Sequence, residues 1–189
     1  MELMSAPENT PVTEGELLSH LRLTDGEQDG TLARCVSTAI AMLDGDDGEL
    51  GRALISQTWR EYIRPPSNGS GVQLSLRPAQ SIESVAFRDA EGAWVEADLT
   101  GFSLHVVEDA PVVFADVWPV GHGFQSLRID YVAGYGDDGA SVPDTIKQAI
   151  LLLAAHYYLE RAPVVSKESS AELPISIDRL LQRYKVWVR

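Results

Sequence analysis

The spacing of apolar residues changes period twice along this chain. Leu32, Cys35, Val36, Ala39, Ile40 and Leu43 recur at three- and four-residue intervals, which places them on one face of a helix. From Leu54 to Tyr135 that period gives way to short runs that read as strands, at residues 57–63, 72–76, 82–88, 94–98, 102–107, 112–117 and 127–132. Pro65-Pro66, Asn68-Gly69, Glu91-Gly92, Gly101 and the stretch 119–123 separate these runs at hairpin-like intervals. The helical pattern returns in Ile146, Ala149, Ile150, Leu152, Leu153, Ala155, Tyr157 and Leu159. This order predicts an α+β fold, in which a helical core of about four helices carries an inserted antiparallel β-subdomain of about six strands.

Local signals give the boundaries. Residues 1–11, with Pro7 and Pro11 among small and polar neighbours, read as a flexible lead-in. Thr13 with Glu16 forms a capping-box pattern that opens a short helix ending near Leu21. The acidic stretch 24–29 suits the positive end of a second helix from about Glu27 to Leu43, which stops at Gly45 and Gly48. Pro143, preset for a first helical position, and Asp144 announce a third helix. It runs to about Arg161 before Pro163, and so few polar residues break its middle that it is expected to be buried on most sides. A last helix covers roughly Ile177 to Tyr184. The predicted division is thus 1–11 lead-in, 12–53 N-terminal helices, 54–136 β-subdomain, 137–184 C-terminal helices and 185–189 tail, all within one domain.

At 189 residues and 44% hydrophobic content the chain is long enough to bury a core as a single domain. Its net charge of −13 opposes tight duplex binding, which needs clustered Lys and Arg to displace counterions. An acidic surface does, however, suit a passage through which DNA slides without sticking. No apolar run approaches the roughly 20 residues of a membrane span. The first ten residues have neither a basic n-region nor an apolar h-region, so no membrane association and a cytoplasmic location are expected.

Motifs that would carry chemistry fail on spacing. In the acidic segment from Asp25 through Glu27 and Asp29, the position of the bidentate glutamate of a calcium loop falls on Val36. In the segment opening at Asp44 and Asp46 it falls on Ile55. His20, His105, His122 and His156 are dispersed, and the lone Cys35 lies on the apolar helix face, so no metal site is expected. Neither Gly121-His122-Gly123 nor Gly134-Tyr135-Gly136 continues as a phosphate-binding loop. No catalytic, cofactor-binding or metal-binding residue is assigned, and a non-enzymatic role is expected. Two other readings remain. An enzyme would use His156 with Glu160, one turn apart, or Asp137 with Asp138. A ligand-binding β-module for a glycan or peptide would present Trp94, Trp118 and Tyr135 as an aromatic platform. The closing residues Lys185, Val186, Trp187, Val188 and Arg189, three apolar side chains bracketed by charges, fit a partner anchor instead.

An ordered set of segments carries a resemblance. Residues 128–136 (RIDYVAGYG), Val142-Pro143, residues 146–158 (IKQAILLLAAHYY) with Glu160-Arg161, and Leu173-Pro174 ahead of residues 177–181 (IDRLL) occur in series. Val12-Thr13, Glu16-Leu17, His20-Leu21-Arg22, residues 51–55 (GRALI) and Gln57-Thr58-Trp59 precede them. Together they resemble the head-tail connector, or adaptor, family of long-tailed double-stranded DNA phages, prophages and gene transfer agents. The linker from Leu43 to Gly51 departs from that pattern, with Asp44, Asp46, Asp47 and Glu49 where a more aromatic helix end is usual. The resemblance implies a non-enzymatic subunit of a homo-oligomeric ring, expected to be about twelve-fold, between a portal protein and a stopper or tail-completion protein. It also implies a channel through which DNA passes without sequence-specific binding, and assembly in the bacterial cytoplasm before residence in the particle neck. Under this reading Lys185 to Arg189 would anchor the portal, and no cofactor is implied.

Overall fold

The computed structural model describes residues 1–23, 30–66, 70–159 and 175–186. Among these residues four helices form one end of the molecule: α1 (Glu14–Leu21), α2 (Thr31–Leu43), α3 (Asp144–Leu159) and α4 (Ile175–Leu181). The Thr13 hydroxyl accepts from the Glu16 backbone N–H (3.2 Å), and the Glu16 carboxylate accepts from the Thr13 N–H (2.7 Å), which completes the expected capping box. On α2 the predicted stripe faces inward: Leu32, Cys35, Val36, Ala39 and Leu43 are buried and Ile40 is partly buried. This helix starts at Thr31, after Gly30 in the left-handed conformation, later than the Glu27 expected. The acidic residues 24–29 lie outside the described residues. The other three helices all pack on α3, which explains why it lacks a polar stripe.

The described residues also form eight strands: β1 (Glu2–Ser5), β2 (Gln57–Ile63), β3 (Val72–Gln73), β4 (Ala79–Arg88), β5 (Trp94–Glu96), β6 (Phe102–Val107), β7 (Ala110–Ala115) and β8 (Leu127–Ala133). They form an antiparallel five-stranded sheet in the order β1-β2-β8-β4-β5 and a three-stranded sheet in the order β3-β7-β6. About six strands were expected and eight are found among the described residues, with two corrections to the expected pattern. The first eleven residues are not merely a flexible lead-in. Glu2–Ser5 pairs with β2, the Asn9 side-chain amide donates to the Asp137 carbonyl (2.9 Å), and Pro11 is buried. The pairing is long-range, so no local pattern announces it. The second correction concerns β7, which begins at Ala110, two residues before the expected start. Glu108 and Asp109 both take positive φ and close β6–β7 as a two-residue hairpin. Without an Asn-Gly or Asp-Gly pair, that turn leaves little trace in the sequence.

The two sheets share a core of their own. Along β8, Leu127, Ile129, Tyr131 and Ala133 point inward in strict alternation and meet Val85 of β4, Val72 and Val113 of the smaller sheet, and Leu74 and Leu76 of the β3–β4 connection. Buried Tyr131 satisfies its hydroxyl by accepting from the Leu76 N–H (3.3 Å) and donating to the Glu61 carboxylate (3.2 Å). On the opposite face of β8, Asp130 accepts two bonds from Arg60 of β2 (2.8 and 2.7 Å) and one from Ser84 of β4 (3.1 Å). Burial alone would raise the Asp130 carboxyl, but the Arg60 guanidinium, helped by Ser84 and Arg128, outweighs it and the group sits below the usual carboxylate range.

Sheet and helices join where β8 ends. At Gly134 (φ +142°) a Cβ would lie 2.5 Å from the backbone of Ile55 and Ser56, so only glycine lets the two segments approach. Asp44, just after α2, accepts from the Leu54 N–H (2.7 Å) and the Gln57 amide (3.2 Å), and Gln57 accepts in turn from the Trp59 indole (3.1 Å). The acidic linker that departs from the connector pattern thus ties α2 to β2.

Candidate assembly surfaces

The root of the C-terminal tail is bound to its own subunit. Lys185 pairs with Asp178 of α4 (2.8 Å) and Glu49 of the α2–β2 linker (3.3 Å), and the bond to Asp178 holds its ammonium above the usual lysine range. The Val186 N–H donates to the Leu50 carbonyl (3.0 Å), and the Val186 side chain lies against Gly51. Trp187, Val188 and Arg189 lie outside the described residues. Of the five proposed anchor residues, Lys185 and Val186 therefore form a fixed base from which the remaining three continue.

Arg52 organises the surroundings of that base. Its residue is 5% exposed. Its Nε donates to the Tyr184 carbonyl (2.6 Å), and its Nη2 pairs with the carboxylate of Asp109 at the tip of the β6–β7 hairpin. Asp109 also stands 3.6 Å from Arg77. One side chain thus joins the α2–β2 linker, the end of the C-terminal helices and the smaller sheet. It sits in the 51–55 segment that carries part of the connector resemblance, but its partners are 57 and 132 residues away. A buried charge reveals itself only when those partners are in place.

At the opposite end of the sheets, the β7–β8 connection displays apolar side chains to solvent: Val117 (82% exposed), Val120 (79%) and Phe124 (79%). The loop is nevertheless well held. The Asp116 N–H donates to the Gly101 carbonyl (3.0 Å), the His122 N–H to the Arg88 carbonyl (3.0 Å), and the Trp118 indole to the Ser70 carbonyl (3.0 Å). Gly121 packs directly on buried Ser126. A loop braced in this way that still exposes three large apolar side chains has the character of a contact surface. In the sequence Val117 reads as the end of the strand run 112–117 and Val120 as part of the turn stretch 119–123, so the patch they form with Phe124 emerges only in the structure.

The described residues of the alternative readings are not assembled into sites. Trp94 lies beneath Arg88 (4.9 Å) and Arg128 (5.3 Å) and tilts against Tyr62 (5.8 Å). Trp118 meets Phe102 edge-on (5.7 Å), and Tyr135 packs against the helical core, where burial pushes its phenol up. These are three separate contacts instead of one platform. His156 stacks at a tilt on Tyr157 (6.0 Å), and Glu160 lies outside the described residues. Asp138 caps a 3₁₀ turn by accepting from the Ala140 and Ser141 N–H groups (3.0 and 3.2 Å). Of the calcium candidates, Asp25, Glu27 and Asp29 lie outside the described residues, and Asp44 is engaged as above. Among the described residues no group of three or more His, Cys, Asp and Glu is placed to hold a metal, and no helix is long and apolar enough to cross a membrane. Two open hollows of about 380 and 440 Å³, each lined by a mixture of polar and apolar surface, flank Asn9.

No protein-family model and no curated protein matches the chain. Solved structures do. A chain in the virion of a native gene transfer agent particle is 26% identical, with a TM-score of 0.76 over 100% of this chain and 96% of its own length. A chain in the neck of the empty particle, computed with C6 symmetry, gives 26% identity and a TM-score of 0.77 over the same shares. A chain in the neck of the native particle, computed with C12 symmetry, gives 25% and 0.71 over 100% of this chain and 98% of that one. Helices, sheets and C-terminal segment are all included in the likeness, and it agrees with the resemblance carried by the residues themselves: from end to end, this chain has the fold of a protein from the neck of gene transfer agent particles.

Proposed function

We propose that this chain is a structural, non-enzymatic neck protein, the ring-forming adaptor that joins a portal to the stopper or tail-completion protein below it. The observation that carries this reading is the whole-length likeness to neck chains, with TM-scores of 0.71–0.77 and at least 96% of each matching chain covered. A single shared subdomain would leave one end of the chain unmatched. The C6 and C12 symmetries of the matching necks support a homo-oligomeric ring. A net charge of −13 per subunit supports a channel wall that repels phosphate, so that DNA passes without being held. The bacterial cytoplasm is the place of assembly and the particle neck the final location.

Within this reading the tail from Lys185 to Arg189 is the portal anchor. Its first two residues are bound to the subunit, and Trp187 supplies the kind of large aromatic that suits insertion into a partner pocket.

Electron microscopy of the purified protein with portal tests the proposal. Rings stacked on the portal are expected; a chain that stays monomeric and makes no portal contact at high concentration is not an adaptor. Removing residues 187–189 separates anchoring from folding, because Lys185 and Val186 keep their contacts. Portal affinity should fall by at least about tenfold, the loss expected for a hot-spot aromatic, with the melting temperature unchanged. Unaltered affinity would exclude the anchor while leaving the ring intact.

A further inference from the structure

The two sheets have four edges, and they are not equivalent. β3 and β5 are two and three residues long. β1 has four residues, carries Glu2, and slips in its pairing with β2 between Leu3 and Ser5. Short length, charge and irregular pairing are the usual means of keeping a sheet edge from joining another chain. β6 has none of them. Its six residues, Phe102–Val107, pair in unbroken register with β7, and the sequence FSLHVV contains no Lys, Arg, Asp, Glu or Pro. Ser103, His105, Val106 and Val107 are exposed, Val106 to 67% and Val107 to 48%. Among the described residues no strand lies on its outer side.

The same edge is held in place. The hairpin tip is fastened to the helical end through Asp109 and Arg52, and Phe102 at the other end packs on Trp118. An edge that is uncharged, unbroken in register and already ordered costs little to pair, because the strand loses little freedom in doing so. Left uncovered, it would also template aggregation.

We propose that β6 is an assembly strand, whose free backbone edge takes up an extended segment of a second copy of this chain by main-chain pairing. This inference rests on the ring reading above. A chain in a ring of C12 symmetry has a copy of itself on each side, and such a ring joins unlike surfaces. β6 therefore does not pair with β6 of the neighbour. It pairs with a different segment, so that each subunit gives a strand on one side and receives one on the other. Val106 and Val107 supply apolar side chains for that contact, and the backbone supplies its direction.

Amide hydrogen exchange on the unsubstituted protein, compared between dilute monomer and purified ring, tests the proposal without relying on any variant. Outward-facing amides of residues 103–107 should exchange at least about tenfold more slowly in the ring, as protected ladder positions do. A doubly substituted chain, Ser103→Lys with Val106→Lys, should melt as the parent does, since both positions are exposed, and should fail to form rings. Rings whose β6 amides exchange as in the monomer would overturn this inference and leave the adaptor reading standing. So would protection that arises only when a different neck protein is added. A chain that forms no ring, alone or on portal, would instead overturn the adaptor reading, and this inference with it.

Discussion

In the helical end of the molecule the apolar residues of α1, α2 and α4 close on α3, and among the described residues of those helices Leu159 is the single large apolar side chain left exposed. The sheets behave differently. They bury a core of their own around Tyr131 and Leu127, yet Val95, Val106, Val107, Val117, Val120 and Phe124 face solvent. One end thus spends its apolar surface on its own stability, and the other keeps a share of it in ordered positions where a partner can reach it. For the ring subunit proposed above this separation is useful, because contact surfaces can vary without weakening the core that holds them.

The comparison can be broken first in the helical core. Ile146→Ala, at a fully buried position of α3, should cost about 4 kcal/mol, since transfer and cavity terms add. Urea denaturation measures it, and a loss under 1 kcal/mol would show that the helical end is not where stability resides. Arg52→Ala tests the fastening between the two ends. It removes the bonds to the Tyr184 carbonyl and to Asp109 at a buried position, and a loss of about 3 kcal/mol is expected. Hydrogen exchange should then rise at residues 107–110 and 184–186 together, whereas a purely local effect would raise only one of them.

Within the larger sheet, Asp130→Asn leaves Arg60 without its charged partner and should cost about 2 kcal/mol at neutral pH. The folded-state pKa of Asp130 is depressed, so its contribution is fully present above the unfolded value near 3.9 and is lost as pH falls through the depressed value. Replacing Asp130 should therefore flatten the acid limb of the stability curve. An acid limb as steep as the parent's would assign that limb to other carboxylates. The smallest effect on stability belongs to the exposed loop. Val120→Ser with Phe124→Ser should change unfolding free energy by less than about 0.5 kcal/mol while reducing assembly, as read by sedimentation. A large stability loss would mean that these side chains serve the fold after all.

Much of the helical end was legible in the residues. The Thr13–Glu16 box, the stripe from Leu32 to Leu43 and the start of α3 after Pro143 are local patterns, and local patterns survive into the structure because a helix makes its hydrogen bonds within itself. The strand runs at 57–63 and 102–107 were legible because local turn residues bound them, Pro65-Pro66 after the first and Gly101 before the second. The terminal strand was not. Residues 2–5 are exposed on both faces and acquire strand structure only from their pairing with β2, more than fifty residues away. The tail from Lys185 to Arg189 was singled out by composition, but the ties of its first two residues to Asp178, Glu49 and Leu50 are tertiary facts.

The sequence by itself determined the order of helices and strands, the absence of a catalytic or metal-binding spacing, and the acidic character of the surface. All three follow from residue identity and short spacing. Tertiary structure alone decided that Arg52 is buried at a three-way junction, that Trp94, Trp118 and Tyr135 serve separate contacts, and which of the four sheet edges lies open. These depend on partners brought together from distant parts of the chain, and strand order in particular is set by which backbones meet, a choice that side-chain alternation does not encode.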